Sequence, residues 1–168
     1  MMVKESHSVI VEEYPDAQKI NNALATFIKS FKGKQRNNSN VRIKNYTPWK
    51  IDSYETYLIS NWTKNLIKSH FGKWLDECQF NLLDCFGNVY EHGGSAGSHD
   101  HIPCTYSFVY FVETPPKSAP LIFSSSKTKI AAKAGRICIF PSNLRHEVPI
   151  SKHKGTRIVL AGNYEVHK

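Results

Sequence analysis

From Gln79 onward the sequence is a run of short apolar segments cut at close intervals by turn residues, a pattern that admits little except antiparallel β-structure. The segments are F-N-L-L-D-C-F, N-V-Y-E-H, C-T-Y-S-F-V-Y-F-V, P-L-I-F-S, K-I-A-A, R-I-C-I-F-P, H-E-V-P-I and R-I-V-L-A-G-N-Y. Breaks fall at Gly87, Gly93-Gly94, Thr114-Pro115-Pro116, Gly135 and Lys154-Gly155.

The part before Gln79 has a different period. Residues 7–13 read as one short strand, and Pro15-Asp16 then opens a helix. Its apolar positions Ile20, Ala23, Leu24, Phe27, Ile28 and Phe31 recur at helical spacing, and Gly33 ends it. The basic, polar text from Lys32 to Asn40 reads as an exposed loop. Ser53 caps a second helix over about residues 54–71, with Leu58, Ile59, Trp62, Leu66, Ile67 and Phe71 inward and Gly72 following. Two amphipathic helices followed by many strands predict an α+β chain with the helices packed on one face of an antiparallel sandwich or barrel. At 168 residues the expectation is a single domain over 1–168, helical to about 75 and β-rich over about 78–164.

Composition excludes several classes. No apolar run approaches the roughly 20 residues of a membrane span, and the first residues lack the apolar core of a signal peptide. Cys78, Cys85, Cys104 and Cys138 form no C-x-x-C pair, so reduced thiols and a cytoplasmic setting are expected. The net charge of +8 suits an anionic partner, but the lysines are dispersed and no arginine-rich block stands out. Nucleic acid is therefore neither indicated nor excluded.

Chemistry concentrates in G-S-H-D-H-I-P-C, where His99 and His101 are two apart beside an apolar strand. On an extended backbone, positions i and i+2 share a face, so both imidazoles can reach one metal ion. His146, after F-P-S-N-L-R, is a third candidate ligand at another strand edge. A regular strand turns Asp100 to the opposite face, whereas a bulge near Gly97 would bring Asp100 inward in place of His101. His7, His70, His92, His153 and His167 stand near termini, helix ends or turns and are read as ordinary surface imidazoles.

Taken in order, V-Y-E-H-G-G-S-A-G-S-H-D-H, Y-S-F-V-Y-F-V, A-G-R-I-C-I-F-P-S-N-L-R-H-E-V and G-T-R-I-V-L resemble the small iron(II)- and 2-oxoglutarate-dependent dioxygenases of the prolyl-hydroxylase-like kind, including short versions encoded by bacteriophages. The resemblance covers roughly residues 78–164. It implies a double-stranded β-helix, the jelly-roll or cupin-like barrel, with two N-terminal helices packed on one sheet. His99 and His146 match the family's histidine ligands, and Arg157 matches the arginine that binds the far carboxylate of 2-oxoglutarate. Tyr90 and Ser107 are implied as further co-substrate contacts, and Phe111 stands where a second tyrosine is usual. The usual Asp or Glu ligand position holds His101, which departs from the pattern. The implied activity is hydroxylation of an unidentified substrate, with a peptidyl residue such as proline as the class and Fe(II), 2-oxoglutarate and dioxygen as the other participants. Two rival readings remain: a cupin-like three-histidine metalloenzyme that does not use 2-oxoglutarate, and a basic binding module without catalysis.

Overall fold

The computed structural model describes residues 9–38 and 40–168. His7 and the start of the expected first strand lie outside those residues. Among the described residues there are eleven strands and two α-helices; the two helices come before the β-rich part as expected, two unexpected strands lie between them, and the strand pairs are antiparallel.

Helix α1 (Ala17–Ser30) and helix α2 (Tyr54–Phe71) match their apolar periodicity closely. The Ser53 hydroxyl accepts from the Thr56 backbone N–H, the Thr56 hydroxyl accepts from the Ser53 N–H, and Gly72 ends the helix at positive φ. α1 ends at Ser30, and Phe31 is already extended, two residues before the glycine expected to end the helix.

The strands are β1 (Ile10–Glu13), β2 (Lys34–Asn37), β3 (Val41–Tyr46), β4 (Gln79–Tyr90), β5 (Ser95–His99), β6 (Tyr106–Glu113), β7 (Leu121–Phe123), β8 (Lys129–Ile130), β9 (Arg136–Pro141), β10 (His146–Val148) and β11 (Arg157–His167). They run in the order β1-β9-β6-β11-β4-β3-β5-β10-β7-β8, with β2 paired to β3. The sheet curls because β3 pairs at its far end with β4, through Asn45 and Tyr46, and at its near end with β5, through Val41 and Arg42.

Two expectations fail here. The supposed loop over Lys32–Asn40 supplies β2 and a tight turn in which the Asn38 side-chain oxygen accepts from the Asn40 and Val41 backbone N–H groups. Gly87 does not break a strand. It lies mid-way along β4, where a Cβ would stand 2.7 Å from Cγ2 of Ile28, so its smallness lets α1 press against the sheet.

Alternation along the strands divides the core into two. Tyr106, Phe108, Tyr110 and Val112 of β6, with Ile158, Leu160 and Tyr164 of β11, face the helices beside Leu24, Ile28, Ile59 and Ile67. Two phenols fix this layer: the Tyr110 hydroxyl donates to Oδ1 of Asn21 and the Tyr164 hydroxyl to the carbonyl of Ser60, each at 2.7 Å. The opposite face, with Tyr90, Phe111, Phe140 and Val159, looks into the barrel.

Candidate metal centre

β5 and β10 pair so that His99 and His146 are direct cross-strand partners, with ring centroids 4.4 Å apart. His101 is not on that strand. It follows the end of β5, and its backbone N–H donates to the carbonyl of Ser142 at 2.8 Å, so a loop and not strand alternation brings its ring within 5.1 Å of each of the other two. One ligating atom from each histidine lies within 4.8 Å of the others. Asp100 stands apart from this trio, in an ion pair at 3.1 Å with Arg145.

Nδ1 of His99 lies 2.7 Å from the carbonyl of Gly97, and Nδ1 of His146 lies 2.9 Å from the carbonyl of Leu144. A carbonyl only accepts, so both Nδ1 atoms carry the proton and both Nε2 lone pairs are available to a metal. Burial pulls the His146 pKa down to about 3 and that of His101 to about 4, which keeps both imidazoles neutral, the ligating form. Phe140 packs against His146 with centroids 4.7 Å apart and seals its inner side. Neutral imidazoles, two of them oriented by backbone carbonyls on their far nitrogens, suit a divalent first-row metal such as Fe(II).

The three histidines line a cavity of about 590 Å³ that also holds Tyr90 and Arg157. Arg157 is only 1% exposed, and Nε, Nη1 and Nη2 all lack a hydrogen-bond partner among the described residues. Its guanidinium carbon lies 4.8 Å from the centroid of Tyr90 and 5.3 Å from that of Phe111. Burial lowers its pKa, with the Tyr90 phenol opposing that shift, while burial raises the pKa of Tyr90. The Tyr90 phenol is the one neutral acceptor close to it, too far or too poorly aligned to satisfy the planar donor fork, which suits a carboxylate.

Ser107 is buried, but its hydroxyl is engaged with Ser142 at 2.8 Å and with Oδ1 of Asn163 at 2.6 Å, and it does not line the cavity. It sits on β6, a different strand from His99. His153, read from sequence as a surface imidazole, is 1% exposed. Sequence reasoning missed the residues of the opposite wall. Counting by two back from Tyr90 along β4 gives Asn88, Phe86 and Asp84, and counting by two forward from Arg157 along β11 gives Val159, Ala161 and Asn163. All six line the cavity.

No protein-family model and no curated protein matches the sequence. Solved structures do. The viral collagen prolyl hydroxylase from Paramecium Bursaria Chlorella virus-1, solved as its 2OG complex, superposes with a TM-score of 0.68 at 17% identity over 96% of each chain. A prolyl-4-hydroxylase from Pseudomonas putida gives a TM-score of 0.69 at 17% identity, covering 95% of this chain and 93% of that one. A Trichoplax adhaerens prolyl hydroxylase, in complex with a hypoxia inducible factor oxygen degradation domain peptide fragment, gives 0.67 at 15% identity over 95% and 84%. The order of strands and helices and these superpositions together place the chain in the double-stranded β-helix fold of the 2OG-Fe(II) oxygenases.

Proposed function

We propose that the protein is an Fe(II)- and 2-oxoglutarate-dependent oxygenase, working as one domain, that hydroxylates a peptidyl residue of which proline is the leading candidate. One observation carries this reading: a fully buried arginine with three unpartnered nitrogens opens onto the same cavity as three clustered histidines. Leaving such a cation unpaired costs on the order of several kcal/mol, and a carboxylate of 2-oxoglutarate removes that cost through a two-pronged, charge-assisted contact. A three-histidine cupin that does not use 2-oxoglutarate has no need of such a group.

In this reading His99, His101 and His146 hold the iron, and the metal with its co-substrate supplies the oxidising power for inserting oxygen into a C–H bond. The residues of the chain bind and orient. The backbone carbonyls of Gly97 and Leu144 fix two imidazole tautomers, and Arg157 anchors the dicarboxylate between Tyr90 and Phe111. Phe140, Phe123 and Val148 keep water from the inner side. The prolyl preference comes from the fold's neighbours, among them the enzyme solved with a peptide fragment. A cytoplasmic setting is supported by four free cysteines, and no described helix is long and apolar enough to cross a membrane.

The test is an anaerobic titration of 2-oxoglutarate into the Fe(II)-loaded protein. A metal-to-ligand charge-transfer absorption is expected for wild type, and its loss in Arg157→Ala with iron content retained. A wild-type protein that binds iron yet shows no absorption overturns the assignment in favour of a cupin-like chemistry.

A further inference from the structure

We propose that the part of the cavity farthest along the sheet from Arg157 is a cation subsite, in which Asp84 receives the ammonium or guanidinium of a lysyl or arginyl side chain on the peptide being oxidised. That the peptide is oxidised rests on the oxygenase reading, but the recognition of a cation does not.

The register of β4 with β11 sets the two charged ends apart. Arg157 pairs with Tyr90 at one end and Asn163 with Asp84 at the other. Asn163 is six positions on from Arg157, about 20 Å of extended backbone. Both pairs line the same cavity.

Asp84 is held for a purpose that internal bonding does not exhaust. Both of its oxygens accept from the single Nδ2 of Asn163, at 2.8 and 3.0 Å. Asn163 is itself buried and oriented, because its Oδ1 accepts from the Ser107 hydroxyl, which in turn contacts Ser142. Burial raises the Asp84 pKa, with only Asn163 opposing the shift, so a cation beside it would favour the ionised form; that form has about four acceptor positions, and one amide nitrogen leaves most of them open. Among the described residues no Lys, Arg or His pairs with Asp84, although the chain carries a net charge of +8. Asp100, the other carboxylate lining the cavity, is already paired with Arg145.

The walls suit a long aliphatic stem with a charged head. Phe86 lies two positions from Asp84 on the same face of β4 and meets Trp49 edge-on, with centroids 4.6 Å apart. Trp49 is 52% exposed and Ile102 is 66% exposed, so the cavity opens through an apolar rim. A methylene stem packs on such a surface while its head reaches the carboxylate. Arg36, stacked over Tyr46 and Trp49 at 4.8 and 5.1 Å, repels a second cation from that side and leaves Asp84 as the receptive charge.

The experiment measures calorimetric affinities of the protein for three blocked tetrapeptides, Gly-Pro-Lys-Gly, Gly-Pro-Gln-Gly and Gly-Pro-Glu-Gly. A hydrogen bond between charged partners predicts that the lysyl peptide binds about ten- to a hundredfold more tightly than the other two. Asp84→Asn, which keeps the shape and the bond from Asn163, should abolish the difference, and Asp84→Lys should turn the preference toward the glutamyl peptide. Equal affinities in wild type, no measurable binding of the lysyl peptide, or a preference that survives Asp84→Asn each overturn the subsite. The 2-oxoglutarate absorption is recorded on the same samples. Its absence alongside a lysyl preference removes the oxygenase reading alone, and its presence alongside equal affinities removes the subsite alone.

Discussion

His99 and His146 use one local device, an Nδ1–H given to the carbonyl two residues earlier, and each stands on a strand that pairs with the other's. His101 has no such strand, yet it completes the trio, while Asp100 is turned to Arg145. If His101 is a ligand, His101→Ala should lower iron affinity by about ten- to a hundredfold, whereas Asp100→Asn should change it by less than about threefold. Metal content after equilibrium dialysis distinguishes the two. The depressed imidazole pKa values also set an acid sensitivity in the metal-free protein. The folded pKa values, about 4 for His101 and about 3 for His146, lie below the unfolded value of 6.5, so the unfolded chain binds more protons between them. Stability should therefore fall as pH drops from about 6.5 toward 4, by up to about 1.4 kcal/mol per pH unit for each imidazole. Urea unfolding at several pH values measures the slope, and His146→Gln should reduce it. The ligand candidates were legible as residue types, because H-x-H and a distant strand-edge histidine are rare in combination. The choice between His101 and Asp100 was not, because it depends on a loop pinned by the Ser142 carbonyl, which is 41 positions from His101.

Among the elements, the helices were the easiest to read because their contacts repeat at a local period and their caps are written in adjacent residues. β3 was hidden. Only V-R-I-K alternates as a half-buried strand does, too short a run to stand out in polar text, and its partners β4 and β5 lie dozens of residues away, so only tertiary pairing reveals it as the corner of the sheet. β5 was obscured in the same way, since S-A-G-S-H has little strand propensity. Gly87 was misread for the opposite reason: a local turn signal was overridden by close packing of α1. Its Cβ-free position predicts that Gly87→Ala destabilises the protein by about 1–3 kcal/mol through overpacking against Ile28. Ile28→Ala in the Gly87→Ala background should recover part of that loss, whereas in wild type it should only destabilise, by about 2–5 kcal/mol. Chemical denaturation of the four proteins gives the coupling, and additive effects would show that the helix does not press on the sheet at this point.

At the scale of the whole molecule, the curled sheet separates a sealed layer from a reactive one. The helix-facing layer is closed by apolar side chains and two tyrosine hydroxyl bonds, while the inner layer keeps Arg157 buried with no charged partner among the described residues. Such a charge opposes folding until an anion arrives, so stability and ligand binding draw on the same residue in opposite directions. Arg157→Met keeps much of the side-chain length and removes the charge. It should raise the melting temperature of the ligand-free protein, since relief of about 1–2 kcal/mol corresponds to several degrees in a chain of this size. With 2-oxoglutarate at a hundred times its dissociation constant, the iron-loaded wild type should gain about 2.7 kcal/mol, and the variant should gain far less. The two melting curves should therefore cross over as co-substrate is added. A variant that is less stable than wild type without ligand would mean that Tyr90 and Phe111 already satisfy the guanidinium, and the buried cation would then no longer point to a dicarboxylate.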